Sequence, residues 1–195
     1  MDQELIEAHL REIITKGLGL DLSDPNLKET PHRIAKMYCE EFFTSIGKEG
    51  FDNLKTFPNS KGYDQAILMD RIHFVSMCSH HFLPFVGLAW LVYVPDKTLV
   101  GASKPSRLIN YYGAKPQLQE DICHEVINDF EKEVKPKGTM VVMRGIHGCM
   151  SYRGAKQYGG SGLTTSAVSG IFRDNPASRS EAMDLIKLSL MFPSV

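Results

Sequence analysis

Between residues 116 and 134 an apolar side chain returns at every fourth position: Leu118, Ile122, Val126, Phe130 and Val134. That period predicts a helix with one buried face, opened at Pro116 and stopped by Pro136-Lys137-Gly138. The stretches around it follow another rule. Ile72–Met77 and Val86–Val94 precede it, and Thr139–Ile146 and Leu163–Phe172 follow it, all rich in strand-forming residues. Strands grouped on either side of a helical insert, rather than alternating singly with helices, predict an α+β chain with antiparallel pairing and exclude a doubly wound parallel sheet.

The rest of the chain fits around this centre. Residues 2–16 carry a partial apolar stripe and read as a helix, followed by a loop over Gly17–Lys28. Thr30-Pro31 reads as an N-cap and first-turn proline opening a second helix to about Ile46, with Gly47 and Gly50 closing it. Pro95-Asp96 separates the second strand from a short run at Thr98–Val100. A short helix is expected at Ser106–Tyr112 and a last one at Ser178–Leu190. The division is a helical region over residues 1–60 and a sheet-containing domain over 61–195.

At 195 residues and 43% hydrophobic, the chain can bury a globular core. Its 22 Lys and Arg against 23 Asp and Glu give a net charge of -1, which argues against a nucleic-acid binder but leaves room for a local basic pocket. No stretch approaches a membrane span, and the acidic start MDQELIEAHLREI is unlike an export signal. The four cysteines are therefore expected as thiols in a reducing cytoplasm, with no membrane partner. There is no internal repeat, G-x-G-x-x-G or P-loop. Gly159-Gly160-Ser161-Gly162 reads either as a loop beside the chemistry or as a plain hairpin connection.

Chemistry concentrates at two strand ends. Cys78-Ser79-His80-His81 follows the first strand, and His147-Gly148-Cys149 follows the third. A histidine three residues after a cysteine suits a turn around one ion, and an extended His147–Cys149 would turn both side chains to one face. Together they offer five donors for a Cys2His zinc site with an open position, leaving one or two histidines for proton transfer. The other reading is cysteines that merely fill a core, which is also the reading for Cys39 and Cys123. A second group is basic: Ser103-Lys104-Pro105-Ser106-Arg107 and Tyr152-Arg153-Gly154-Ala155-Lys156, either a phosphate anchor or a solvated face. Glu120, early in the long helix and off its stripe, reads by itself as solvated surface.

These residues also carry a family resemblance. Glu29-Thr30-Pro31-His32-Arg33-Ile34-Ala35-Lys36-Met37-Tyr38, Cys78-x-His80-His81-Phe82-Leu83-Pro84-Phe85, Gly101-x-Ser103-Lys104, Arg107, Lys115-Pro116-Gln117-x-Gln119-Glu120, His147-x-Cys149-Met150, Arg153-Gly154 and Arg179-Ser180-Glu181 stand in the order of the zinc-dependent GTP cyclohydrolase I family. The resemblance implies a tunnelling fold: an antiparallel sheet with helices on one side and an N-terminal helical extension. It further implies a homodecamer of two five-membered rings with active sites at subunit boundaries.

By motif match, Cys78, His81 and Cys149 would hold zinc, and His80 and His147 would be free. Glu120 would grip the guanine N1–H and amine, with Gln119 beside it at the substrate. Lys104, Arg107 and Arg153, with Arg33, would bind the triphosphate, and Ser103 would lie near the ribose. The implied reaction is hydrolytic attack on guanine C8, favoured by zinc lowering the pKa of water toward ~7. Loss of C8 as formate and an Amadori-type rearrangement then give 7,8-dihydroneopterin triphosphate. His147 is assigned to the imidazole nitrogen, His80 and Ser103 to the ribose steps. One position departs from the family pattern: Ser79 stands where Cys-Glu-His-His has its acid. The alternatives are the tunnelling-fold nitrile reductase of 7-deazaguanine biosynthesis and a non-catalytic nucleotide-binding relative.

Overall fold

In the computed structural model, which describes residues 1–157 and 161–192, the fourth-residue stripe forms α4, Gln119–Val134. It starts three residues after the expected Pro116. Pro116–Gln117 instead forms a two-residue strand, β5, parallel to Met77–Cys78 at the end of β2 (Ile67–Cys78). Leu118 thus becomes the extended N-cap residue and is exposed, while Ile122, Val126, Phe130 and Val134 are buried as the period requires. Lys135, in the left-handed region at φ 50°, ends the helix.

Four strands pair antiparallel in the order β2, β3 (Pro84–Val94), β6 (Gly138–His147) and β7 (Leu163–Val168), with β5 at the β2 edge. Helix α3 (Lys104–Gly113) and α4 lie between the two strand pairs in sequence. Alternation along β3 assigns its side chains to two cores. Ala89, Leu91 and Tyr93 join Leu108 and Ile109 of α3 and Phe130 of α4. Trp90, Val92 and Val94 join Phe172, Ala182 and Ile186 from α6 (Ile171–Asp174) and α7 (Pro176–Met191). The expected helical layer on one side is the α3–α4 pair; the two C-terminal helices add a second layer over part of the opposite face. The remainder of that face exposes Val75, Val86 and Ile146.

Several expected boundaries move for local reasons. The last strand stops at Val168 instead of Phe172 because Gly170 turns the chain at φ 48°, where an added Cβ would stand 2.2 Å from Lys137 O. α7 begins at Pro176, capped by the Asn175 side chain accepting from the N–H groups of Ala177 and Ser178. The short run at Thr98–Val100 is β4, and it pairs with a strand not foreseen, β1 (Thr56–Pro58).

The chain divides into two compact units, Met1–Lys48 and Glu49–Val195, so β1 and its partner β4 both fall in the second. In the first unit, α1 (Gln3–Glu12) is capped by Asp2 and prolonged by a π turn over Ile13–Gly17. Helix α2 (Thr30–Met37) has Thr30 as its first helical residue, with Glu29 in the flanking position expected of Thr30. A second π turn, Tyr38–Phe42, ends it four residues before Ile46, where Phe43 N–H closes onto Tyr38 O.

Candidate active site

The connection between β2 and β3 brings the first two candidate ligands together. Cys78 N–H donates to Leu83 O and Phe82 N–H donates to Cys78 O, both at 2.9 Å. Phe82 sits in the left-handed region at φ 50°, the conformation that closes such a turn. His81 is thereby folded back, its Nδ1 4.0 Å from Cys78 Sγ. His80, the next residue toward the strand, stays exposed, its ring 6.2 Å from that of His81.

The third ligand arrives from β6, though not by the extended path expected. The strand stops at His147, and one helical turn, α5 (Gly148–Ser151), carries Cys149 Sγ to 3.8 Å from Cys78 Sγ. His147 and Cys149 thus do separate jobs instead of sharing a strand face. The donor atoms of Cys78, His81 and Cys149 all lie within 4.8 Å of one another. A tetrahedral zinc with bonds of about 2.3 Å to sulfur sets two thiolates about 3.8 Å apart, so the cluster fits such an ion in donor type and spacing. Burial, then the adjacent Cys78, holds the Cys149 thiol above its ordinary range. Arg153, on the segment after α5, sets a guanidinium nitrogen 2.8 Å from His81 Nε2.

His147 lies against this cluster's supporting strands, buried, with its ring stacked on Phe85 at 4.4 Å between centroids and 3° between planes. Its Nε2 meets the amide oxygen of Gln119 at 3.0 Å. Burial pushes the imidazole below its usual range, and the charge of Glu120 pulls the other way. That charge also bears on Cys123, whose thiol burial pushes up to about 11, in keeping with the expected core role. Glu120 itself is exposed in the first turn of α4. Gln119, expected at the substrate, is only 1% exposed; its amide N–H groups reach Met143 O, Leu163 O and Thr165 Oγ1 at 3.1, 3.2 and 2.9 Å. Spacing carries the signal for this inward position, since Gln119 precedes Ile122 and Cys123 by three and four residues on the buried face.

The remaining basic candidates are elsewhere in the chain. Ser103 flanks α3, Lys104 and Arg107 lie in its first turn, and Lys104 donates to Asn53 Oδ1 at 2.7 Å. That end of α3 borders a cavity with residues Leu68–His73, near the start of β2. Its other end meets Val75, two residues beyond His73 toward Cys78, where a Cβ on Gly113 would stand 2.7 Å from Val75 O. A ten-residue helix is about 15 Å long, so within one chain Ser103, Lys104 and Arg107 are not gathered at the Cys/His/Cys cluster. Arg33 is exposed on α2 in the first unit. Gly159 and Gly160 of the expected loop lie outside the described residues.

Two antiparallel strand pairs flanking a helix pair, with two thiols and an imidazole gathered at the strand ends, define an α+β protein with a candidate metal centre. Residues 6–187 match the family model of GTP cyclohydrolase I. The chain is 36% identical to GTP cyclohydrolase 1 of Shewanella sp. (strain ANA-3) over 95% of its own length and 85% of that protein. With the GTP cyclohydrolase 1 of Shewanella loihica the identity is 37% over 92% of this chain and 83% of the relative. Among solved structures, the apo archaeosine synthase QueF-Like is similar at a TM-score of 0.43 and 15% identity, covering 54% of this chain and 94% of that one. The chain belongs to the GTP cyclohydrolase I family. No helix among the described residues is long and apolar enough to cross a membrane.

Proposed function

We propose that the protein is a zinc-dependent GTP cyclohydrolase I, which opens the guanine imidazole ring of GTP, releases C8 as formate and forms 7,8-dihydroneopterin triphosphate. The observation that carries this reading is the convergence of Cys78, His81 and Cys149 within 4.8 Å, beside a buried histidine, in a chain of this family. Bound by those three side chains, zinc supplies a Lewis acid that makes water nucleophilic near neutral pH.

The chain's own groups do the rest. Glu120 accepts from the guanine N1–H and amine, two parallel donors that fix the base. His147 holds and returns the proton exchanged at the imidazole nitrogen as the ring opens, and its burial keeps competing water away. His80 and Ser103 serve the proton transfers of ribose opening and rearrangement. Arg153, Lys104, Arg107 and Arg33 neutralise the triphosphate. The catalytic work falls to the sheet-containing domain, whose compact unit begins at Glu49, with the helical unit Met1–Lys48 as its extension, and the cytoplasm is its place.

The distance between α3's basic turn and its own chain's cluster supports an assembly in which Ser103, Lys104 and Arg107 complete a neighbour's pocket. The exposed Val75, Val86 and Ile146, and a β7 edge that pairs with no further strand among the described residues, favour the same arrangement. A decamer of two rings is expected. Light scattering checks this: a mass near ten chains supports it, and an active monomer contradicts it.

Ser79 is exposed in the hairpin turn that holds His81, where the family pattern has an acid. Ser79→Glu is expected to keep the metal, whose three donors are untouched. It should alter kcat for GTP by more than it alters zinc affinity, because an added carboxylate re-aims the arginines near the triphosphate and small displacements are costly there. Zinc titration and turnover of both proteins in one buffer measure the difference; a change confined to zinc affinity contradicts it.

The whole reading is tested by incubating zinc-loaded protein with GTP. Pterin fluorescence after oxidation, together with formate, is the expected result. Zinc and GTP binding with neither product would leave a non-catalytic relative.

A further inference from the structure

We propose that Gln119 is a positioning residue that fixes the tautomer of His147, so that His147 exchanges protons with the substrate through Nδ1. The inference rests on the reading that His147 handles a substrate proton.

The hydrogen bonds leave one arrangement. One end of the Gln119 amide faces Met143 O and Leu163 O, at 3.1 and 3.2 Å. Main-chain carbonyls only accept, so that end is the NH2 group and the other is oxygen. An amide oxygen also only accepts, so His147 Nε2, 3.0 Å away, must carry a hydrogen. In the neutral ring the lone pair is then on Nδ1, which has no hydrogen-bond partner among the described residues.

The surroundings hold this arrangement. Gln119 is 1% exposed, so water does not compete for its amide. Its NH2 group has a third acceptor in Thr165 Oγ1 at 2.9 Å, which fixes the amide plane. The Phe85 ring, parallel to the imidazole at 4.4 Å, restrains its tilt. Gly145 leaves the room the amide needs: a Cβ there would stand 2.5 Å from Gln119 Oε1 and 3.4 Å from the Phe74 ring. For metal-bound histidines, losing the group that orients the ring through its far nitrogen commonly costs about 10–100-fold in activity, and a loss of the same order is expected for His147.

The first measurement uses the zinc-loaded protein without substrate. Solid-state NMR of 15N-histidine-labelled protein, with His147 assigned by comparison with His147→Asn, is expected to show the Nε2–H tautomer. An Nδ1–H tautomer overturns the proposal. The second uses variants. Gln119→Leu should lose kcat by about 10–100-fold while KM for GTP changes little and zinc content is retained. Gln119→Glu keeps an acceptor facing Nε2 and, protonated on its other oxygen, a donor toward Met143 O and Leu163 O, so it should retain more of kcat than Gln119→Leu. Unchanged kcat in Gln119→Leu, or equal losses in both folded variants, overturns the proposal. If Gln119→Leu fails to fold, the wild-type spectrum and the turnover of Gln119→Glu decide. Because the tautomer is read without GTP, a wild-type protein that releases no formate would remove the functional reading while leaving the tautomer result intact.

Discussion

Cys149→Ala is expected to strip the metal from the protein and abolish turnover. Its thiol is one of three donors in the cluster among the described residues, and removing it leaves Cys78 and His81, too few to hold zinc tightly. The loss should exceed about 100-fold in both zinc affinity and formate release, since even weakening the support of a metal ligand costs 10–100-fold. Folding should change far less. Cys149 is half-buried on a single turn of helix, outside the strands that carry the core. Metal analysis, turnover and thermal unfolding of the same preparation separate these effects. Full zinc with intact turnover would remove Cys149 from the ligand set. Because the thiol must give up a proton that burial holds on it, zinc affinity should also strengthen as pH rises.

Glu120→Ala is expected to cost about 2–5 kcal/mol in kcat/KM for GTP, the range for leaving buried donors without their charged partner. An exposed acid in the first turn of a helix otherwise contributes only a few tenths of a kcal/mol, through the helix dipole. The two roles thus differ by an order of magnitude in energy, and the substitution distinguishes them. Its charge already bears on His147 and on Cys123, so it stands near the pocket whatever its task. Steady-state kinetics with GTP, beside urea unfolding, gives both numbers. Near-normal turnover would return Glu120 to ordinary helix surface.

The sequence made the helix legible wherever its period ran unbroken, as from Ile122 to Val134. It failed where pairing overrode the local signal. Pro116 looks like a helix opener but serves β5, because Met77 and Cys78 offer a sheet edge there. The end of β7 depended on Gly170 approaching Lys137, a contact between segments far apart in sequence. The C-x-x-H spacing pointed to the metal cluster because a tight turn is a local event. The path from His147 to Cys149 was not local: whether it runs extended or as a helical turn decides which residue reaches Cys78. Gln119 was legible as a neighbour of Glu120, and only the buried period of α4 reveals that the two side chains face opposite ways. Nothing in the order of Ser103, Lys104 and Arg107 indicates that they lie a helix length from their own chain's cluster.

The central claim concerns one carbon atom. GTP labelled with 13C at C8, incubated with the zinc-loaded protein, is predicted to yield labelled formate in equal amount to 7,8-dihydroneopterin triphosphate, both lost when a chelator removes the metal and restored by added zinc. Label that stays in an intact purine, with zinc and GTP both bound, would contradict the account.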